Sequence, residues 1–278
     1  MQSLEHASPD TPGGVMSQDL RYQVLLLALG AQTLVVELTI PRLIAPVFGN
    51  TLFSWTAIIA VVLVALTLGY RWGGRLASRV VGPRWITALS LLAALWVIGL
   101  SVTGEWITTG LSFLNLMFGP LAASLMLAAA PAFLDAAVVP LVIQQRPEEP
   151  GEASGICFAW STVGSIIGVL ATGYVLLPQL GISGALLTGA VMVLVSLGLL
   201  GRIGFAATGI TLALIAAYVA HNRPSGYLVD MSNGYHRIRV TQHDDGVRRL
   251  YLDGTLEGAV KPARRNPSWR INESSMTS

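Results

Sequence analysis

Three ionisable residues lie inside apolar stretches: Glu37, Arg42 and Asp135. A charged side chain in hydrocarbon is costly unless it is paired or faces water, so each marks a polar site or a fold-defining contact. Glu37 and Arg42 are five residues apart, about 140° around a helix, and do not stack as an i,i+4 pair. Pro41 lies between them; it removes a helix donor and is expected to bend the chain enough to bring them closer. Asp135 sits between Pro131 and Pro140 with no basic neighbour in sequence. It is expected to be hydrogen-bonded, with Arg42 or Arg146 as partners to test in space. These three form the candidate intramembrane polar site. It would serve either a ligand, a proton or a subunit contact, or simply a buried pair that defines the fold.

Other reactive groupings are sparse. The four histidines, three of them in the C-terminal segment as His221, His236 and His243, are not at metal-ligand spacing. One cysteine, Cys157, excludes an intramolecular disulfide and a cysteine-based metal cluster. No Ser/His/Asp constellation, P-loop or metal motif appears, so neither a catalytic residue, a metal nor a cofactor is expected.

The elements that hold these residues are membrane-spanning. Of 278 residues, 53% are hydrophobic and 12% are charged, about half the charge of a soluble globular chain. That composition excludes an ordinary soluble enzyme and a disordered chain. A crossing needs about 20 apolar residues. Seven stretches qualify: 22–45, 54–72, 85–103, 118–143, 157–178, 183–200 and 203–220. The first is expected to break at Pro41-Arg42. Residues 104–117 are too short to cross and too apolar for an ordinary loop, which suggests an interfacial or re-entrant segment, or a short eighth crossing. Residues 1–20 carry no basic n-region and read as a loose tail rather than a secretory signal.

Arg71, Arg75, Arg79 and Arg84 cluster after the second stretch. By the positive-inside rule this loop is cytoplasmic, and binding of anionic lipid head groups is a compatible second role. With seven crossings the C-terminal tail falls outside, whereas its basic charge favours the inside; eight crossings would reconcile the two. Most of the seven tryptophans lie near span ends, as an interfacial belt requires. Gly164, Gly168 and Gly173, and Gly69, Gly73 and Gly74, recur at spacings that let helix backbones approach closely.

At His221-Asn-Arg-Pro224 the composition switches: nine of the 17 basic residues follow. Residues 235–242 alternate, with His236, Ile238 and Val240 on one face and Arg237 and Arg239 on the other, which is a half-buried strand. His243-Asp-Asp-Gly246 is a turn, 248–252 a second strand, Asp253-Gly254 a second turn, and 255–260 a third strand. The expected architecture is therefore an all-α polytopic membrane bundle of about seven helices (21–220), followed by a small C-terminal antiparallel β-meander (221–262) and a frayed tail (263–278). A meander this small needs something to pack against. Its exposed positions, Tyr235, Arg237, Arg239, Tyr251, Asp253 and Glu257, form the candidate partner-docking surface.

Two regions carry a family resemblance. The first is Glu37-Leu-Thr-Ile-Pro-Arg42-Leu-Ile-Ala-Pro46-Val-Phe48-Gly49, followed by Trp55-Thr56, Leu68-Gly69-Tyr70 and Gly73-Gly74-Arg75, with Gly155 to Gly168 and Gly173 to Pro178 further on. The second is Tyr235-His-Arg-Ile-Arg-Val240 with Leu250-Tyr-Leu-Asp253-Gly254-Thr-Leu-Glu257. Together they resemble the membrane-bound spermidine synthase-like proteins of the polyamine aminopropyltransferase family: the first their membrane region, the second the small β-domain of spermidine synthases. The resemblance covers about residues 25–260 and implies a bacterial inner-membrane setting. In that family the β-domain leads into a Rossmann-like catalytic domain with a Gly-rich cofactor loop. Here 18 residues follow Val260, too few for a βαβ unit. Glu257 stands where the family has Gln, and Asp135 where it usually has Gly. The resemblance thus implies ancestry and architecture without aminopropyl transfer by this chain alone. Three functions follow as expectations: a non-catalytic accessory or scaffold subunit of a membrane complex, the membrane half of a split aminopropyltransferase whose catalytic domain is another chain, and a polyamine or small-cation carrier or sensor. The partners implied are membrane lipid and other protein subunits, not nucleic acid.

Overall fold

The structure is a computed structural model that describes residues 13–79, 82–221, 229–232, 237–242, 247–252 and 255–260. It divides into two compact units, Met1–Pro224 and Ser225–Ser278.

The first unit is helical: α1 (Gly13–Phe48), α2 (Leu52–Ala77), α3 (Arg84–Gly110), α4 (Phe118–Gln144), α5 (Pro150–Ala171), α6 (Leu177–Leu199) and α7 (Ile203–His221). Their residues are almost wholly apolar, and a helix satisfies every backbone group within itself, as a bilayer demands. α1 lies at the centre of the bundle. From Tyr22 to Phe48 none of its residues is exposed, and it packs against α2, α3, α4, α5 and α6. Contrary to the expected break, α1 continues through Pro41 and Pro46 to Phe48. The missing proline donors leave the carbonyls of Glu37 and Arg42 without their i+4 partner, but packing on all sides holds the helix. Residues 104–117 correct another expectation: α3 runs on to Gly110 and only the remainder turns, so there is no separate short crossing.

Among the described residues six helical segments are long and apolar enough to cross a membrane, one fewer than the seven expected, and they mark a multi-pass membrane protein. The difference lies at Pro150–Leu199, where the expected stretches 157–178 and 183–200 join into one 50-residue helical run. A short π-helical turn, Thr172–Leu176, links α5 to α6 without a loop. A straight helix of that length would extend about 75 Å. Yet Gly168 abuts Ala31, and Gly189 lies against Val35 and Gln32, on neighbouring turns of α1. The run therefore folds back, and it does so near Gly181, whose φ of 65° and ψ of −169° break the helix. Glycine adopts this conformation without a Cβ penalty.

Two helix pairs approach at backbone distance. A Cβ on Gly164 would overlap the Leu27 carbonyl, and one on Gly168 would lie 2.7 Å from Ala31 Cα, so α5 seats its glycines on α1. On α2, a Cβ on Gly69 would collide with Phe133 and one on Gly73 with Ala137, both on α4. Each pair of glycines is four residues apart, one helical turn, which is the small-xxx-small device of membrane helices.

The second unit is a four-stranded antiparallel meander: β1 (Val229–Ser232), β2 (Arg237–Gln242), β3 (Arg248–Leu252) and β4 (Thr255–Val260), in spatial order β1-β2-β3-β4. The three expected strands are joined by a fourth, β1. Its register pairs Val229 with Val240 and Met231 with Ile238, and β2 continues the row by pairing Ile238 with Leu252 and Val240 with Leu250. The alternate row holds Asp230, Ser232, Arg237, Arg239 and Tyr251. A bulge at Leu250/Tyr251 shifts the β3–β4 register, so Tyr251 faces Leu256 while Leu250 faces Gly258.

Candidate intramembrane polar site

The site forms around Asp135 on α4. The aspartate is 3% exposed, and it is held from α1 by two neutral side chains. Gln32 Nε2 donates to both carboxylate oxygens at 3.2 Å, and Thr33 Oγ1 donates to Oδ2 at 2.9 Å. The Thr33 hydroxyl also lies 3.1 Å from the Leu29 carbonyl oxygen in the preceding turn. Gln32 is fully buried, and its Oε1 has no hydrogen-bond partner among the described residues. Burying a carboxyl this way works only because its lone pairs are met by donors in a medium without water to supply them.

Beside the aspartate is a small cavity of about 70 Å³ at the junction of α1, α2, α4 and α5. Its polar lining comes from Thr33, Tyr70, Asp135, Ser161 and Ser165. Ser165 Oγ donates to the Gly30 carbonyl at 3.2 Å, a bond that crosses from α5 to α1. The Tyr70 ring meets Phe158 edge-on, with centroids 5.7 Å apart. Ala136 also lines the cavity, and Pro140 four residues on has no N–H to offer its carbonyl. At roughly 30 Å³ per water, the space suits two waters or a small cation.

The hydrogen bonds to Asp135 come from neutral side chains and not from the other two members of the expected trio. No hydrogen bond or ion pair among the described residues joins Glu37 to Arg42 or to Asp135. Glu37 and Arg42 are both half-buried further along α1. Neither Arg42 nor Arg146 is the partner of Asp135. Arg146, in the loop after α4, instead makes a two-point contact with Glu148: Nη2 to Oε1 at 2.7 Å and Nε to Oε2 at 3.1 Å. The bond to Arg146 holds the Glu148 carboxyl below its usual range, and Glu148 in turn raises the Arg146 guanidinium.

Gln32 and Thr33 were not anticipated. Their signal is an amide and a hydroxyl side by side in a run that is otherwise nearly all apolar from Val24 to Val36. Arg71, Arg75, Arg79 and Arg84 are exposed, the first two on the last turns of α2, Arg79 just after it and Arg84 at the start of α3. In the β-unit, Tyr251 is half-buried and Glu257 exposed. Arg237 and Arg239 occupy β2 opposite Ser232 and Asp230. Tyr235, His236 and Asp253, both turns and the segments 1–12 and 261–278 lie outside the described residues. No group of His, Cys, Asp and Glu suited to a metal ion occurs among the described residues. Cys157 is a buried free thiol. No protein-family model, curated protein or solved structure matches the chain.

Proposed function

We propose that this chain is a non-catalytic integral membrane accessory subunit, a helical anchor that presents a small β-module to a partner complex in a bacterial cytoplasmic membrane. The observation that supports this reading is the edge of the β-unit. Among the described residues β4 pairs with β3 on one side only, and Glu257, Ala259 and Val260 along it are exposed, Val260 at 68%. An unpaired strand edge offers a row of N–H and C=O groups for strand addition by another chain. Gly181 supports a corollary, that Pro150–Leu199 crosses twice and the bundle makes seven passes in all. The test is gentle solubilisation of native membranes, isolation of this chain and mass spectrometry of what accompanies it. A stoichiometric protein partner that is lost with Ala259→Pro is the expected result. A monodisperse chain with no partner would overturn the reading, and a methyltransferase-fold chain at equal stoichiometry would replace it with a split aminopropyltransferase.

A second reading is favoured by the cavity beside Asp135. A carboxylate and hydroxyls line a space of water-like size, which suits a small-cation carrier or sensor. Asp135→Asn keeps the volume and removes the charge. Loss of monovalent-cation binding in that variant supports this second role, and unchanged binding removes it.

A further inference from the structure

On the side of α2–α4 away from the polar cavity lies a second hollow of about 780 Å³, open at the surface between α2, α3 and α4. Every lining residue is apolar. Ala60, Ala65, Ala129 and Ala130 keep it deep, while Leu68, Trp96 and Phe133 contribute bulkier walls. Along α4 the lining runs from Leu121 to Leu134, about 20 Å of helix. That length exceeds one hydrocarbon leaflet and falls short of the roughly 30 Å a full transmembrane helix would need.

One end of the groove is cationic. The α2 residues that line it, Ala60, Val61, Val64, Ala65 and Leu68, form one helical stripe, and the same stripe continues through Arg71, Trp72 and Arg75. On α3, Leu92 lines the groove, and Arg84 lies eight residues earlier on the same face. Arg71, Arg75 and Arg84 are all exposed, and among the described residues none of their three guanidinium groups makes a hydrogen bond or ion pair. Trp72, beside Arg71, packs on Phe133 with ring centroids 5.6 Å apart and anchors the stripe where the groove ends.

We infer that this groove is a binding site for an anionic phospholipid, with one acyl chain between α2, α3 and α4 and its phosphate against Arg71, Arg75 and Arg84. An apolar slot somewhat longer than one leaflet, ending in three unpartnered guanidiniums, matches an amphiphile with a negative head. A partner helix would leave those charges without a counterpart. Guanidinium is also the group best shaped for two-point phosphate contact.

The test titrates phosphatidylglycerol and phosphatidylcholine of identical acyl chains against the full-length, detergent-solubilised chain and reads bound lipid by native mass spectrometry. One retained phosphatidylglycerol is expected, with phosphatidylcholine held more weakly. The combined Arg71→Gln, Arg75→Gln and Arg84→Gln variant should bind phosphatidylglycerol about a hundredfold more weakly, at roughly fivefold for each arginine near a lipid head. Ala129→Phe, which fills the groove, should lose the adduct, whereas Ile166→Trp on the exposed face of α5 should keep it. Glycerol phosphate, a head group without tails, should not compete. Equal retention of the two lipids, an adduct indifferent to Ala129→Phe, competition by glycerol phosphate, or a protein cross-linked into the groove in place of lipid would each overturn the assignment. The protein-partner reading of the β-unit stands or falls separately, since the lipid titration contains no other protein.

Discussion

Two hollows flank the contact between α2 and α4, and they differ in size and in polarity. One is about 70 Å³, formed between four helices, and a carboxylate and hydroxyls are part of its lining. The other is about 780 Å³, open to the side and lined by apolar residues alone. Both share residues of the same two helices. Around the small hollow, Gly164 and Gly168 draw α5 onto α1, and Gly69 and Gly73 draw α2 onto α4. The large hollow has alanines in its floor and exposed Leu63, Leu125 and Met126 nearby or along its rim. The contrast shows how a bundle without a hydrophobic driving force organises itself. Close backbone contact and internal hydrogen bonds fix one side, and the other side is left to the solvent, which here is hydrocarbon.

If that division is right, damage should depend on which hollow it strikes. The largest effect is expected from Gly73→Leu, whose side chain has no room beside Ala137; it should destabilise the bundle by about 3 kcal/mol, read as a fall in the thermal midpoint in detergent. Wild-type stability in this variant would mean that the α2–α4 contact is looser than it looks. Next comes Asp135→Leu. It leaves the Gln32 amide buried without its acceptor, while the Thr33 hydroxyl keeps the Leu29 carbonyl, at a cost of about 2 kcal/mol. Asp135→Asn keeps an acceptor and should lose about half as much, and a reversed order would separate the cluster from stability altogether. On the other side, Leu125→Ala, at a position 61% exposed, should stay within about 0.5 kcal/mol of wild type. A larger loss would show that the open groove is structural after all.

The smallest effect lies in the loop after α4 and appears only as pH dependence. Arg146 holds the Glu148 carboxyl below its ordinary range, so the folded state binds that proton less readily than the unfolded chain. The pair's stabilisation is therefore complete above the ordinary carboxylate pKa of about 4.3 and fades as pH falls through the depressed value in the folded chain. Arg146 is raised and stays charged throughout. A Glu148→Gln variant should show a shallower loss of thermal midpoint between neutral and acidic pH, and a slope identical to wild type would remove the pair from the balance.

Much of this was legible in residue order. Length and apolarity locate a crossing because the bilayer fixes both, and they located most of the helices. They overestimated the effect of Pro41, because helix continuity inside a bundle depends on neighbours that do not appear in a local window. They separated 157–178 from 183–200, where the structure turns the chain by a π-turn and a single glycine conformation rather than by a polar loop. Asp135 was legible because an acid in an apolar run is conspicuous. Charge complementarity points to arginines as its partners, whereas the bonds come from neutral Gln32 and Thr33, 103 and 102 residues away. The apolar groove leaves no local trace, since it exists only where three helices diverge. In the β-unit, alternation gave three strands, and β1 was missed although Asn233-Gly234 is a strong hairpin signal.

The separation between Gln32 and Asp135 also has a meaning in time. Chains are made at about 5–20 residues per second. After Gln32 and Thr33 leave the ribosome, α4 and its aspartate follow some 5–20 seconds later at that pace, and the glycines of α5 that seat on α1 come later still. During that interval the helix destined for the centre of the bundle carries an amide with no acid to receive it. A nascent α1 is thus a polar span awaiting its complement.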